Sequence, residues 1–341
     1  MSTGGLGEFE LIARLTANLP AADTVALGIG DDAAVLNWPA GDQIVATCDA
    51  LVEGRHFLRA HTTAAEAGRR ALAVNLSDIA AMGAEPRFAL VSLVIPPATD
   101  PAWLDDLYRG LRAEADVYGV SIVGGNVAAT EGPLVVDITL LGSVAPGRAV
   151  ARTGARPRDL LCVTGTLGAA AAGLLTLLEP HPQPDAALAS AVRAARAAQV
   201  TPIPRVREGR ALAALGAATA MLDISDGLAA DLSHLCARSQ VGAIVEAAAL
   251  PITPQTSAVA HAYGRDPMSL ALFGGEDYEL LFTVRPEATN EALAAVGAAG
   301  GSASAIGWIT PAEHGMRLRQ PDGTESPLAP RGWDHLRAAP G

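Results

Sequence analysis

Apolar and polar positions along this chain switch between a helical and a strand-like spacing, and the switches outline its elements. Residues 6–19 follow the 3.6-residue rhythm of a short amphipathic helix. Ala33 to Leu51 reads as two strands around the turn Pro39-Ala-Gly-Asp42. Thr63 to Met82 has small apolar residues at helical spacing and predicts a well-buried helix stopped at Gly83. A strand over Phe88–Ile95 is ended by Pro96-Pro97, and Asp100 to Tyr118 predicts a helix with Pro101 at its first position. Further strands are expected at Val120–Val123 and Leu134–Val144.

Pro146 to Arg158, with Arg148, Arg152, Arg156 and Arg158, reads as an exposed connector. Beyond it a strand at Leu160–Thr164 runs through Gly165-Thr-Leu-Gly168 into an alanine-rich helix. A proline-punctuated loop, Glu179 to Asp185, precedes another helical stretch. Strands then fall at Ala220–Ile224, Ala243–Glu246, Tyr278–Val284 and Ala303–Ile309, with helices at Gly227–Arg238 and Glu287–Ala299. The remaining tail reads as irregular. Mixed strands and helices in both halves predict two α/β (α+β) domains, residues 1–145 and 146–341, each long enough for its own core.

Half the residues are apolar, yet no run approaches the ~20 apolar residues of a membrane span. The N-terminus has neither a basic nor an apolar leader segment, and the three cysteines, Cys48, Cys162 and Cys236, are far apart with no Cys-x-x-Cys. A reducing cytoplasm is therefore expected. The net charge of −12 argues against a nucleic-acid partner, which needs a basic face. All 24 Lys+Arg residues are arginines. Without lysine there is no Schiff-base chemistry, no P-loop Gly-Lys-Ser/Thr and no protein-kinase strand lysine.

Acidic residues instead gather in short motifs. Leu27-Gly-Ile-Gly-Asp-Asp-Ala-Ala-Val35 places Asp31 and Asp32 on a glycine-rich turn. Gly28, Gly30 and Ala33 match a dinucleotide fingerprint formally, but two aspartates would repel a pyrophosphate and a strand rather than a helix follows. With a hard cation between carboxylate and phosphate, the same turn becomes a metal-mediated phosphate site. Asp49 ends an apolar strand, and Asn75 and Asp78 share one face of an apolar helix by i,i+3 spacing. Asp223-Ile-Ser-Asp-Gly-Leu228 sits at a strand end; Ser225 or Asp226 alone could be a helix N-cap, but capping does not account for Asp223. Gly274-Gly-Glu-Asp-Tyr-Glu279 pairs two glycines with three acids. Several magnesium ions and a polyphosphate are the expected ligands.

Together these segments, with Gly7-Glu-Phe9, Asp49 to Phe57 and Ala73 to Ala84, resemble the thiamine-monophosphate kinase family. That family lies within the aminoimidazole-ribonucleotide-synthetase-like superfamily, beside selenophosphate synthetase and hydrogenase maturation proteins. The resemblance implies phosphorylation of thiamine monophosphate by ATP. It also implies an N-terminal domain that binds ATP and magnesium and pairs its sheet with that of a second subunit in a homodimer. A C-terminal α/β domain completes the fold, with ATP between the two domains.

The family's metal positions correspond to Asp32, Thr47, Cys48 (through its backbone), Asp49, Asp78, Asp223 and Asp226. Its nucleotide positions correspond to Tyr118, Gly124, Gly125, Arg152 and Ser225, and its substrate positions to His56, Glu276 and Trp333. Asp49, Asp78 and Asp226 are the residues expected to matter most for catalysis. One departure stands out: the family's usual Gly-Gly-Asp is Gly124-Gly-Asn126 here, so one metal ligand becomes a neutral amide. A sister enzyme with another acceptor, or a nucleotide-binding partner protein without turnover, would share the acidic motifs.

Overall fold

The computed structural model describes residues 7–20, 22–30, 33–179 and 184–332. The chain forms two compact units, Met1–Ile79 with Glu85–Gly147, and Ala80–Ala84 with Arg148–Gly341.

The first unit runs α1 (Glu8–Thr16), β1 (Val25–Leu27), β2 (Val35–Leu36), β3 (Gln43–Val52), α2 (Ala64–Ala81), β4 (Glu85–Ile95), α3 (Pro101–Tyr118), β5 (Ser121–Ala129) and β6 (Val135–Val144). Its main sheet has the order β3-β6-β4-β5, and β4 and β5 are the parallel pair. Such a pair needs a crossover, and α3 supplies it. The Asp100 carboxylate accepts from Ala102 N–H, Pro101 fills the first turn, and left-handed Gly119 ends the helix.

Register decides what each face of this sheet carries. Thr47 lies opposite Leu140 and Asp49 opposite Ile138, both fully buried. Cys48 lies opposite Thr139, which faces Leu90 on the other side, so these three share the opposite face. That face is open: Leu90 is 40% and Ile44 60% exposed. Helix α2 covers the first face and buries Leu72, Leu76 and Ile79 completely. Each such burial contributes on the order of 1.5–3 kcal/mol, enough to hold Asn75 and Ser77 dry beside them. Asn75 is satisfied in place, donating to Ala71 O (3.0 Å) and accepting from Asp49 N–H (3.1 Å).

The second unit contains β7 (Leu160–Thr164), α4 (Ala169–Leu178), α5 (Ala186–Val200), α6 (Val206–Leu215), β8 (Ala218–Asp223), α7 (Leu228–Ser239) and β9 (Val241–Glu246). It continues with α8 (Pro254–Ala262), α9 (Pro267–Phe273), β10 (Leu280–Val284), α10 (Thr289–Ala298), β11 (Ala303–Pro311), β12 (Met316–Arg319) and β13 (Glu325–Pro327). The seven-stranded sheet has the order β13-β12-β9-β11-β7-β10-β8, antiparallel except for β12 against β9. Leu161, Val163, Leu222, Leu232, Val245 and Leu281 belong to its core.

Several local expectations change. Strands do flank the turn at Pro39–Asp42, but they pair elsewhere, β2 with β1 and β3 with β6. The strand expected at Val120–Val123 continues to Ala129: Val123 bulges out between the pairs Ala89–Ile122 and Leu90–Gly124, and the ladder then runs on through both glycines. Within the described part of the expected irregular tail, β12 and β13 extend the sheet edge. Helices α8 and α9 follow Thr253-Pro254 and Asp266-Pro267, both N-cap and N1 signals visible in the sequence. The connector keeps mostly exposed side chains, but its backbone is tied down by Met221 N–H to Ala151 O (2.9 Å) and Arg158 N–H to Ile309 O (2.9 Å).

Candidate active site

Each unit holds its own group of acidic and polar residues. In the first unit, Thr47 donates through Oγ1 to the Asp78 carboxylate, and Asn75 one turn earlier holds the Asp49 backbone. Thr47, Asp49, Asn75 and Asp78 thus meet where the β3 edge runs under α2. The Cys48 side chain is not among them. Its thiol faces the open side of the sheet, 3.1 Å from the Asp137 carboxylate; the hydrogen bond from Thr139, which lowers its pKa, is outweighed by Asp137, burial and Asp49 together, so the pKa is raised. Any share Cys48 takes in the Asp49–Asp78 group therefore comes from its backbone.

His56 sits in the turn after β3, where its Nδ1 accepts from Val52 N–H (2.9 Å) and fixes the ring. The same turn is braced by Arg59, which pairs with Glu53 (2.8 Å) and lies 4.3 Å over the Trp103 ring. Tyr118 is the last residue of α3. Gly124, Gly125 and Asn126 lie on edge strand β5, opposite Leu90, Val91 and Ser92. Gly125 has φ +157°, and a Cβ there would overlap the Val91 carbonyl, so only glycine passes.

In the second unit, Asp223 ends β8, and Ser225 and Asp226 lie in the turn before α7. The Asp226 and Gly227 N–H groups both donate to the Asp231 carboxylate (3.0 and 3.1 Å). Burial, followed by the charges of Asp223 and Asp226, pushes the Asp231 carboxyl up to about 8. This loop docks against the second acidic motif: Glu276 N–H donates to Ser225 O (2.7 Å) and Tyr278 N–H to Ile224 O (2.9 Å).

Within that motif Gly275, Glu276 and Tyr278 are all left-handed, with φ +69°, +61° and +50°. Two non-glycine residues in this region are costly, so the surroundings must enforce it. The alternate acids do so from beneath. Asp277 accepts from Gly168 and Ala170 N–H (2.8 and 3.2 Å) at the start of α4. Glu279, buried, accepts from Thr164 (2.7 Å) and from both ends of the Arg205 fork (2.6 Å each). Burial, with Glu279 and Glu276 adding repulsion, raises the Asp277 carboxyl to about 7 against the opposing backbone bonds. The expected strand at Tyr278 accordingly starts only at Leu280.

Arg152 is exposed, and its carbonyl accepts from Ser239 (3.2 Å). Asp32 and Trp333 lie outside the described residues. Among the described residues no group of three or more His, Cys, Asp or Glu side chains is arranged to hold a metal ion alone. Sequence reasoning missed Asp231, Asp277, Glu279, Arg205 and Gln199 as parts of this architecture. Asp277 and Glu279 were visible as acids in the quoted motif; Arg205 and Gln199 carry no local signal.

Residues 30–144 match the model of the AIR synthase related protein N-terminal domain, and residues 156–318 that of the C-terminal domain. The chain is 39% identical over 332 residues to the thiamine-monophosphate kinase of Escherichia coli (strain K12), spanning 97% of this chain and 98% of that protein. The chain belongs to the thiamine-monophosphate kinase family. The crystal structure of the family's protein from Stenotrophomonas maltophilia K279a superposes with a TM-score of 0.81 at 36% identity, covering 96% of this chain and 99% of that one. AaThiL complexed with AMPPCP and TMP gives 0.77 at 33% identity, covering 98% and 99%. The family resemblance and the two-domain AIR-synthase-type fold expected from the sequence are thus both found. Among the described residues no helix is long and apolar enough to cross a membrane.

Proposed function

We propose that this protein transfers the γ-phosphoryl group of ATP to thiamine monophosphate, giving ADP and thiamine diphosphate. The observation that carries this reading is the near-full-length match to relatives of that name, one of them solved with AMPPCP and TMP. The acceptor phosphate has a second pKa near ~6, so it is already an anion at neutral pH and needs no general base. Transfer is therefore direct, with no phosphorylated enzyme.

The difficulty is bringing two polyanions together in a chain with no lysine. The oxygens grouped in each unit, Thr47, Asp49 and Asp78 in one and Asp223 and Asp226 in the other, suit hard cations. Magnesium keeps several waters and takes substrate phosphates as ligands, so a few protein oxygens in each group suffice. Asp32, Asn126 and the Cys48 backbone complete the proposed metal set. Bound magnesium would neutralise the phosphates and support in-line transfer. Tyr118, Gly124, Gly125, Arg152 and Ser225 take the nucleotide, and His56, Glu276 and Trp333 the thiamine acceptor. Asp49, Asp78 and Asp226 are the residues on which turnover depends most. The open sheet face with Ile44 and Leu90 suits pairing with a second copy, and we place the enzyme in the cytoplasm as a homodimer. The test is ADP release with thiamine monophosphate against thiamine and an aminoimidazole precursor. Turnover confined to thiamine monophosphate and abolished by excess EDTA is expected. Equal turnover with another acceptor overturns the substrate, and undiminished turnover in EDTA overturns the magnesium role.

A further inference from the structure

The carboxylate proposed to meet the acceptor, Glu276, has a side-chain partner from an element far away in sequence. Gln199, near the end of α5, donates through Nε2 to the Glu276 carboxylate at 3.3 Å. Gln199 is buried, only 5% exposed. Its stem is seated by the contact of α5 with α4: a Cβ on Gly173 would stand 2.8 Å from the Gln199 Cβ and overlap the Ala195 carbonyl. One turn back, Arg196 fastens the same two helices by donating to Thr176 Oγ1 (2.9 Å) and Thr176 O (2.6 Å). Gln199 therefore presents its amide from a fixed base.

We infer that Gln199 is the positioning residue of the acceptor site, aiming the Glu276 carboxylate at the thiamine part of thiamine monophosphate, whose thiazolium ring carries a permanent positive charge; this rests on the reading that Glu276 meets that substrate. The chemistry explains why an amide stands there. A guanidinium would orient Glu276 equally well but would neutralise it, and a carboxylate already paired attracts a cationic ligand weakly. Arg196 donates to Thr176 and Arg205 to Glu279. An amide donor orients the carboxylate without itself cancelling its charge. The left-handed backbone of Glu276, held by Ser225 and by Asp277 at the start of α4, supplies the other half of the alignment.

Steady-state kinetics on wild type, Gln199→Leu and Gln199→Glu, with melting temperatures alongside, test this. A hydrogen bond to a charged group is worth on the order of tenfold or more in affinity, so Gln199→Leu should raise the KM for thiamine monophosphate about tenfold. The KM for ATP and kcat should stay within about twofold, because the nucleotide does not meet Glu276. Gln199→Glu sets a second acid against Glu276 and should raise the acceptor KM further. A role confined to packing would instead lower the melting temperature and move both KM values together, and that result, or an unchanged acceptor KM in a folded Gln199→Leu protein, overturns the inference. Wild type with no turnover on thiamine monophosphate would sink the functional reading instead; the inference would then be decided by binding of thiamine monophosphate itself to the same three proteins in calorimetry.

Discussion

Replacing Asp277 by asparagine should flatten the dependence of stability on pH between about pH 4 and pH 7. The Asp277 carboxyl rises from its ordinary 3.8 to about 7, through burial first and then the charges of Glu279 and Glu276. In that interval the folded chain keeps a proton that the unfolded chain has lost, so stability falls as pH rises. Its contribution is fully present below about pH 4 and is lost as pH passes through about 7. About 3 pH units at ~1.4 kcal/mol each give ~4 kcal/mol, which water reaching a partly exposed residue reduces to about 2–4 kcal/mol. The introduced amide cannot ionise, yet its oxygen can still accept from Gly168 N–H, now 2.8 Å from the carboxylate. Urea unfolding of both proteins at about pH 4.5 and about pH 8 is the assay. The two should be nearly equal at the lower pH, and the variant more stable by about 2 kcal/mol or more at the higher. Asp231, raised to about 8, titrates in both proteins and cancels in the difference. A difference that stays constant with pH would refute the reasoning, because Asp277 would then carry no excess proton in the folded state.

Arg205→Leu removes the fork from Glu279, a residue 3% exposed, and leaves that carboxylate with Thr164 as the partner described for it. Breaking a buried pair from one side costs about 3–5 kcal/mol, so the melting temperature should fall steeply, and Arg205→Leu combined with Glu279→Gln should recover much of the loss. Asn126→Asp puts a carboxylate at a proposed magnesium position and should lower the magnesium concentration for half-maximal rate, since a carboxylate binds a hard cation more strongly than an amide does. An unchanged magnesium dependence with normal ATP affinity would show that residue 126 is no ligand.

The hydrophobic periods located most helices and strands, and the acidic segments pointed to the family, because both are written in contiguous residues. Asp100-Pro101 starts α3 and Gly119 ends it by signals that act within a few positions. The Thr253-Pro254 and Asp266-Pro267 signals were equally local and were there to be read. What the sequence by itself determined was therefore most of the elements, the candidate ligands and the absence of any lysine chemistry. The tertiary structure alone decided which of those residues meet. Register across β3 and β6, about 90 residues apart, sends Thr47 and Asp49 to the covered face and Cys48 to the open one. Folding of unit two brings Gln199 to Glu276, 77 positions along, and Arg205 to Glu279, 74 positions along. A one-residue slip would reverse the faces, and no local rule fixes it. Register and long-range pairing follow from burying the whole apolar face at once, so only the packed domain settles them.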